Sequence, residues 1–432
     1  MSVPPEQGPY GVRQKPIPRP MNRRLFLARL ALASAGTPAL GAFLAGCGQS
    51  DEAVTTTPAA AQPTVASPAR PITWPISAEN PLISANGQPE RNATLRLFNY
   101  PDYIGPEVLR SFEKKYRVYN VKVVVDEFAN TDEALNKIRT GTVPYDIYFP
   151  SYDQIGKMVR NGVIRPLQHR YLPNIKNVWP SFTDPWYDGE WRYTVPYSVY
   201  TTGIGWRADL VPENVAALAN PYDALWDVRL AGKVAVIDDW HTAMTFALLR
   251  MGFEDVNTGD AHQASRVQTQ MLDMKQTMHP EVTVSAYTEL PAGKLALAQM
   301  WSGDVVNATS YLPPGVNPDV LRYWFPADGK GMVDNDLMVI LRGGKNPVLA
   351  HLFLNHMLAV DTSLANFSYI GYQPPQRSIN PSRLVAEGYL PANLASTTVK
   401  KEYFQTGYRL LELPDDIDLR WHMIWQEFKR AG

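Results

Sequence analysis

The sequence predicts an α/β protein: mostly parallel sheet, helices on its faces, arranged in two units. Between residues 93 and 161 strand-like apolar runs alternate with amphipathic segments, the signature of a parallel sheet with crossover helices. The same alternation resumes after Trp206, and a run near 336–341 reads as a strand that returns to the first unit. Composition agrees, with 45% hydrophobic residues and 11 Trp, 22 Tyr and 14 Phe, enough for large cores and an aromatic-lined cleft.

Taken in order, the chain opens with a segment that is an address rather than a fold. Asn22-Arg23-Arg24-Leu25-Phe26-Leu27 leads into an apolar run that ends at Leu44-Ala45-Gly46-Cys47, the pattern of an export signal over 1–46. The run is too short, and too broken by Arg29, Gly36 and Pro38, to span a membrane. The paired arginines point to the twin-arginine route, with no Ser or Thr before the pair. The ending resembles the lipobox of bacterial lipoproteins, which implies that Cys47 becomes the first mature residue and carries lipid. Cys47 is the only cysteine, so it is not half of an internal disulfide. Residues 47–90 then read as a lipid-anchored flexible spacer, rich in Pro, Ala, Ser and Thr without apolar period.

The chain has 41 basic and 42 acidic residues; residues 1–46 hold six basic and one acidic, so the remainder carries 35 against 41, a net charge of −6. An acidic body argues against nucleic acid, which requires a basic face.

The body begins with an expected strand at 93–100 and a helix at 104–115, whose Val108, Leu109 and Phe112 share a face. A strand at 121–128, a helix from about Thr131 (a candidate cap), a strand at 145–151 and a helix at 154–161 follow. In such sheets ligands bind in the loops beyond the carboxyl ends of strands, which here are 99–103 and 150–153. Strand-like runs at 194–197 and 203–206 lead to the second unit. That unit has a strand ending at Ile237-Asp238-Asp239, helices near 242–252 and before His279, and a strand at 297–301 opening on Ser302-Gly303-Asp304. Residues 347–358 read as an amphipathic helix and 400–429 as mostly helical, with Trp421, Trp425 and Phe428 at i, i+4, i+7 as a packing stripe. His351 and His356, five apart, read as packing or surface residues. Asp238-Asp239-Trp240-His241 has no further His or Cys text to make a metal site, and none is expected.

Nine pieces of text, in order, carry a resemblance. They are Phe98-Asn99-Tyr100-Pro101-Asp102-Tyr103, Tyr145-Asp146-Ile147-Tyr148-Phe149-Pro150-Ser151, Val195-Pro196-Tyr197 and Gly203-Ile204-Gly205. Leu225-Trp226 with Gly232-Lys233-Val234, Ile237-Asp238-Asp239 and Met300-Trp301-Ser302-Gly303-Asp304 follow. Asp336 before Met338-Val339-Ile340 and Gly371-Tyr372-Gln373-Pro374 complete them. From about Thr94 to the C-terminus the chain resembles the solute-binding proteins of bacterial polyamine (spermidine/putrescine) ABC transporters. That resemblance implies a two-lobe type II periplasmic-binding-protein fold hinged by crossing segments. The expected lobes are 91–200 with 332–379, and 201–331 with 380–432.

A polyamine is a string of ammonium groups separated by methylenes, so its site needs spaced carboxylates and flat aromatic faces. By position, the resemblance makes Tyr100, Tyr103, Trp301 and Tyr372 the aromatic walls, and Ser151 a polar contact. It makes Asp102, Asp239, Asp304 and Asp336 the anions, with Asp336 the main one. The text departs from the family at four places: Pro101 for a hydroxyl residue, Asp153 for an aromatic, Thr242 for a carboxylate and Asp334 for a tryptophan. Asp153 and Asp334 are therefore counted as site candidates in which charge has replaced aromatic wall.

The expected protein is an exported, envelope-anchored, monomeric receptor without cofactor or catalysis. Its partners are a small cation, a membrane permease and, through Cys47, the membrane. The alternatives are a receptor for another small solute (sugar, opine or quaternary amine), a sensor, or a glycosidase-like enzyme. A glycosidase also uses paired carboxylates, and the sequence has no G-x-S-x-G, phosphate-cradling loop or HExxH.

Overall fold

The computed structural model describes residues 65–431 apart from 129, 130 and 142. The export signal, Cys47 and the first part of the spacer lie outside the described residues, as does the side chain of Thr131.

Among the described residues ten strands form one sheet, in the order β2-β1-β3-β10-β5-β8-β6-β7, with β4 (Ile164–Arg165) beside β10 and β9 (Leu321–Trp324) beside β5. At one end β1 (Thr94–Asn99) pairs in parallel with β2 (Lys122–Glu127) and β3 (Ile147–Tyr148). Their crossovers are the helices α1 (Pro106–Lys115) and α2 (Thr131–Thr140), and α3 (Ile155–Arg160) follows β3. α1 starts on a proline, which suits the first helical turn, and buries Val108 and Phe112 as its spacing requires.

At the other end β6 (Val234–Val236) pairs in parallel with β7 (Glu281–Val282) and β8 (Leu297–Trp301). Here α4 (Trp240–Arg250) and α5 (Ala261–Met278) cross over, and α6 (Ser302–Ala308) leaves β8.

Two long strands join the ends. β5 (Thr194–Arg207) pairs antiparallel with β10 (Met332–Leu341) over its first half and with β8 over its second. Thr202 stands at the change, opposite both Met332 and Trp301. Every residue of both strands is buried, which is the fate of strands covered on both faces. β5 and β10 are thus the crossing segments of a two-lobe fold. One core cluster, with Leu97, Phe112, Val195, Met338 and Phe353, continues across the sheet to Ala298 and Met300 of β8. Another holds Trp206, Phe246, Met271, Trp421, Trp425 and Phe428. The stripe at 421, 425 and 428 is therefore core packing, carried by the C-terminal helix α9 (Asp415–Arg430). α7 (Pro347–Met357) and α8 (Val360–Ile370) cover the first lobe.

Three stretches differ from the sequence reading. The third strand spans two residues rather than seven: Pro150 and Ser151 add only an isolated bridge to β10, and a tight helical turn begins at Tyr152. Residues 400–414 are largely extended, with helix only at Tyr403–Thr406. There Gly407 and Pro414 interrupt helix, and Tyr408 pairs with Met332 at the start of β10. Residues 65–90, read from composition as spacer, lie along the first lobe. The Trp74 side chain is 5% exposed and its indole N–H donates to Tyr187 O at 2.8 Å, while Asn80 donates to Ile164 O. Such isolated anchors leave no periodic pattern to read.

Trp74→Ala is expected to cost about 3–5 kcal/mol of folding stability, as for other buried Trp truncations. Urea denaturation measures it, and a loss under 1 kcal/mol would show that the 65–90 stretch is only laid on the surface.

Candidate functional site

Five chain segments converge where the strands end. The loop after β1 brings Tyr100 and Tyr103, the turn after β3 brings Ser151, Tyr152, Asp153 and Gln154, and the end of β6 brings Asp238, Asp239 and Trp240. The β8–α6 junction brings Trp301 and Asp304, and β10 brings Asp334 and Asp336. Together with Tyr200 of β5 and Tyr372 beyond α8 they enclose a cavity of about 380 Å³. These are the carboxyl ends of parallel strands plus the crossing strands, the place where α/β sheets hold ligands.

Asp336 is held by hydroxyls. Tyr103 donates to its Oδ2 at 2.7 Å and Tyr200 to its Oδ1 at 3.1 Å. Ser198 Oγ sits 2.6 Å from the Tyr103 hydroxyl and donates to it, since the Tyr103 proton is engaged. A bulge in the β5–β10 register falls between Asp336 and Leu337; Asp336 itself stays in the ladder opposite Ser198 and lines the cavity with its side chain. Asp304, 9% exposed, accepts the Tyr372 hydroxyl at 2.8 Å. That contact depends on Gly303, where an added Cβ would stand 2.2 Å from the Tyr372 ring. Asp334 accepts the Tyr152 hydroxyl at 2.6 Å, Asp153 accepts Ser151 Oγ, and Asp239 caps α4 by accepting Thr242 N–H at 2.8 Å.

Burial is the leading influence on all five acids. It pushes Asp304 and Asp336 up to about 7 from an ordinary 3.8, and hydroxyl donors pull back only in part. Asp153 and Asp334 rise to about 6, Asp334 despite the opposing pull of Arg409, and Asp239 rises too. Among the described residues no lysine or arginine stands at ion-pair distance from Asp304 or Asp336. The cavity is a set of carboxylates short of cations, walled by tyrosine and tryptophan rings.

Of the eleven candidates read from the sequence, Tyr100, Tyr103, Ser151, Asp153, Asp239, Trp301, Asp304, Asp334, Asp336 and Tyr372 line this one cavity. Asp102 does not. Its backbone is left-handed (φ 54°), and its carboxylate turns to the hydroxyls of Tyr311 at 3.0 Å and of Tyr287 and Tyr369 at 3.3 Å. Asp102 is thus a contact with segments far along the chain, placed there by a backbone angle that a motif does not display. The sequence reading missed Tyr152, Tyr200, Tyr287 and the α9 residues His422, Trp425, Gln426 and Lys429, all on the cavity wall. Tyr200 lies inside a strand, not in a loop. The α9 side chains carry no signal beyond their helical spacing, which their packing role already explains. Asp238, the neighbour of Asp239, pairs with Lys429 Nζ at 3.0 Å.

The fold and this cleft define the class: a two-lobed receptor for a small solute. Residues 107–390 match the model of the bacterial extracellular solute-binding protein family, and the chain belongs to that family. The putrescine/cadaverine-binding protein of Pseudomonas aeruginosa is 26% identical over 304 residues, covering 69% of this chain and 84% of its own. The putrescine-binding periplasmic protein PotF of Escherichia coli is 26% identical, covering 67% of this chain and 79% of its own. The same architecture occurs in the spermidine/putrescine ABC transporter substrate-binding protein PotD of Streptococcus pneumoniae. Its crystal structure matches with a TM-score of 0.62 at 22% identity, over 78% of this chain and 99% of that one.

The raised acids set a stability test. A carboxyl whose folded pKa lies above its unfolded value binds more protons folded than unfolded between the two. Stability contributed by its neutral form is complete below about 4 and falls as pH rises toward 7. Asp304→Asn keeps an oxygen for the Tyr372 hydroxyl and removes the titration. Relative to wild type, the ligand-free variant should gain stability on the order of 2 kcal/mol between pH 5.5 and pH 8. Denaturant melts at both pH values measure this, and a constant difference would mean that Asp304 is ionised throughout.

Proposed function

We propose that this protein is the extracytoplasmic, lipid-anchored substrate-binding protein of an ABC importer, and that its ligand is a linear polyamine of the putrescine/spermidine class. The observation that carries the reading is the pair of buried acids Asp336 and Asp304, which among the described residues have no protein cation at ion-pair distance and face one cavity with aromatic walls. Leaving ionised carboxylates buried and unpaired is costly. An ammonium group supplies the missing charge, and the rings of Tyr103, Trp301 and Tyr372 cover the methylenes between charges. The relatives named for putrescine binding support the same chemistry.

In this reading the cation closes the two lobes around β5 and β10, and the closed form delivers an unaltered ligand to the permease. Cys47 holds the receptor at the membrane. The protein needs no cofactor and performs no catalysis, so one equivalent of amine should be recovered unchanged after binding.

Thermal unfolding with putrescine, cadaverine, spermidine and spermine tests the reading, since a ligand bound only by the folded form raises the midpoint. Silence with every amine and a shift with a sugar or an opine would replace the ligand class. Asp336→Asn is expected to weaken amine binding by about 1.5–3 kcal/mol, the scale of a hydrogen bond to a charged group. Unchanged affinity by titration calorimetry would remove Asp336 from the ligand contacts.

The ligand class also has a pH signature. The amine remains protonated through pH 8, whereas Asp304 and Asp336 take up protons near 7 in the empty cavity. A cation must displace those protons at low pH, so affinity should rise from pH 5.5 to pH 8 and binding at pH 6.5 should release protons. A neutral solute that prefers protonated acids would show the opposite slope.

A further inference from the structure

Among the described residues two protein cations pair with the cavity acids. Lys429 pairs with Asp238 where both side chains are about one-third exposed, at the rim. The other, Arg409, is buried behind Asp334, and its surroundings are those of a bound ligand cation. Its guanidinium carbon lies 4.2 Å from the centre of the Tyr152 ring and 4.8 Å from that of Phe404, so aromatic faces cover it. Its Nε is 3.9 Å from Asp334 Oδ1 and 3.3 Å from the Tyr152 hydroxyl, while Nη2 donates to Asn335 Oδ1 at 2.6 Å. Both the Arg409 and Asp334 side chains are more than nine-tenths buried. Asp334 is satisfied a second time by the Tyr152 hydroxyl and a third time by the Leu410 backbone N–H.

The segment carrying Arg409 is fixed. Tyr408 pairs with Met332, and Val333 N–H donates to Tyr408 O at 3.0 Å. Asn257 brackets the next residues, donating to Arg409 O at 2.8 Å and accepting from Leu411 N–H at 2.7 Å. A carboxylate facing a cation under two aromatic rings is the arrangement that Asp304 and Asp336 offer to a ligand. At Asp334 the chain has completed it with its own guanidinium.

We propose that Arg409 is a resident counter-cation: it neutralises Asp334 from behind and sets the charge the cavity accepts at one fewer than its carboxylates would otherwise take. This rests on the polyamine reading and adds which acids the ligand meets. Asp336 and Asp304 bind its ammonium groups, and Asp334 does not count. Arg409 is then a specificity-determining residue that never touches the ligand.

The test is titration calorimetry with putrescine and spermidine at pH 8 on the parent protein and on Arg409→Met. Removing the guanidinium frees one carboxylate for the ligand. The spermidine-to-putrescine affinity ratio should therefore rise by roughly fivefold or more, the lower bound being one close charge pair screened as in bulk water. Arg409→Lys, which keeps the charge, should hold the parental ratio. The double variant Arg409→Met with Asp334→Asn, which removes both charges, should return to it.

An unchanged ratio in Arg409→Met, with only a lower melting temperature, would make Arg409 a structural strut and overturn the proposal. If that variant does not fold, Asp334→Asn alone carries the test. It leaves the guanidinium unbalanced and should lower the ratio, and an unchanged ratio there overturns the proposal equally. A parent protein that binds no amine removes the functional reading, and this assignment with it. A parent that binds amines while the ratios stay fixed removes only the assignment.

Discussion

The structure depends on how the two crossing strands carry charge. β5 and β10 are buried from end to end, and β10 brings Asp334 and Asp336 into the middle of the molecule. Carboxylates in such a place are tolerable because each is met by hydroxyls presented from other segments: Tyr103 and Tyr200 for Asp336, Tyr152 for Asp334. Those hydroxyls orient the acids without neutralising them. The result is a cleft in which Asp304 and Asp336, among the described residues, are met by hydroxyls and by no protein cation at ion-pair distance.

Residues from both parallel ends of the sheet line the cavity, Tyr103 from the loop after β1 and Trp301 and Asp304 from the β8–α6 junction. Asp102 adds a contact of a different kind. It reaches Tyr287 and Tyr311, more than 180 positions further along, from a loop whose neighbours Tyr100 and Tyr103 face the cavity. The loop thus both lines the cleft and holds Tyr287 of its wall, with Asp102 in the left-handed backbone region.

At Asp334 the acid is met from inside the protein: Tyr152 from the turn after β3 donates to it, and Arg409 from the C-terminal stretch places a cation beside it. Asp238 and Lys429 repeat the device at the rim in an exposed and therefore weaker form.

What the sequence determined by itself was local and periodic. Alternating apolar runs gave the parallel ends of the sheet and, because loop position follows from strand position, the loops at 99–103 and 150–153; Asp239, Trp301 and Asp304 were placed by the family resemblance. Other features required the tertiary structure because they arise between segments distant in the chain. Tyr200 became a wall residue only when β5 was laid beside β10. The Trp74 anchor and the extended stretch at 408–414 were set by docking surfaces that no periodicity announces. Asp102 left the cavity through one backbone angle. The availability of Asp334 was decided by Arg409, 75 residues away, since the charge a carboxylate offers depends on what else is buried beside it.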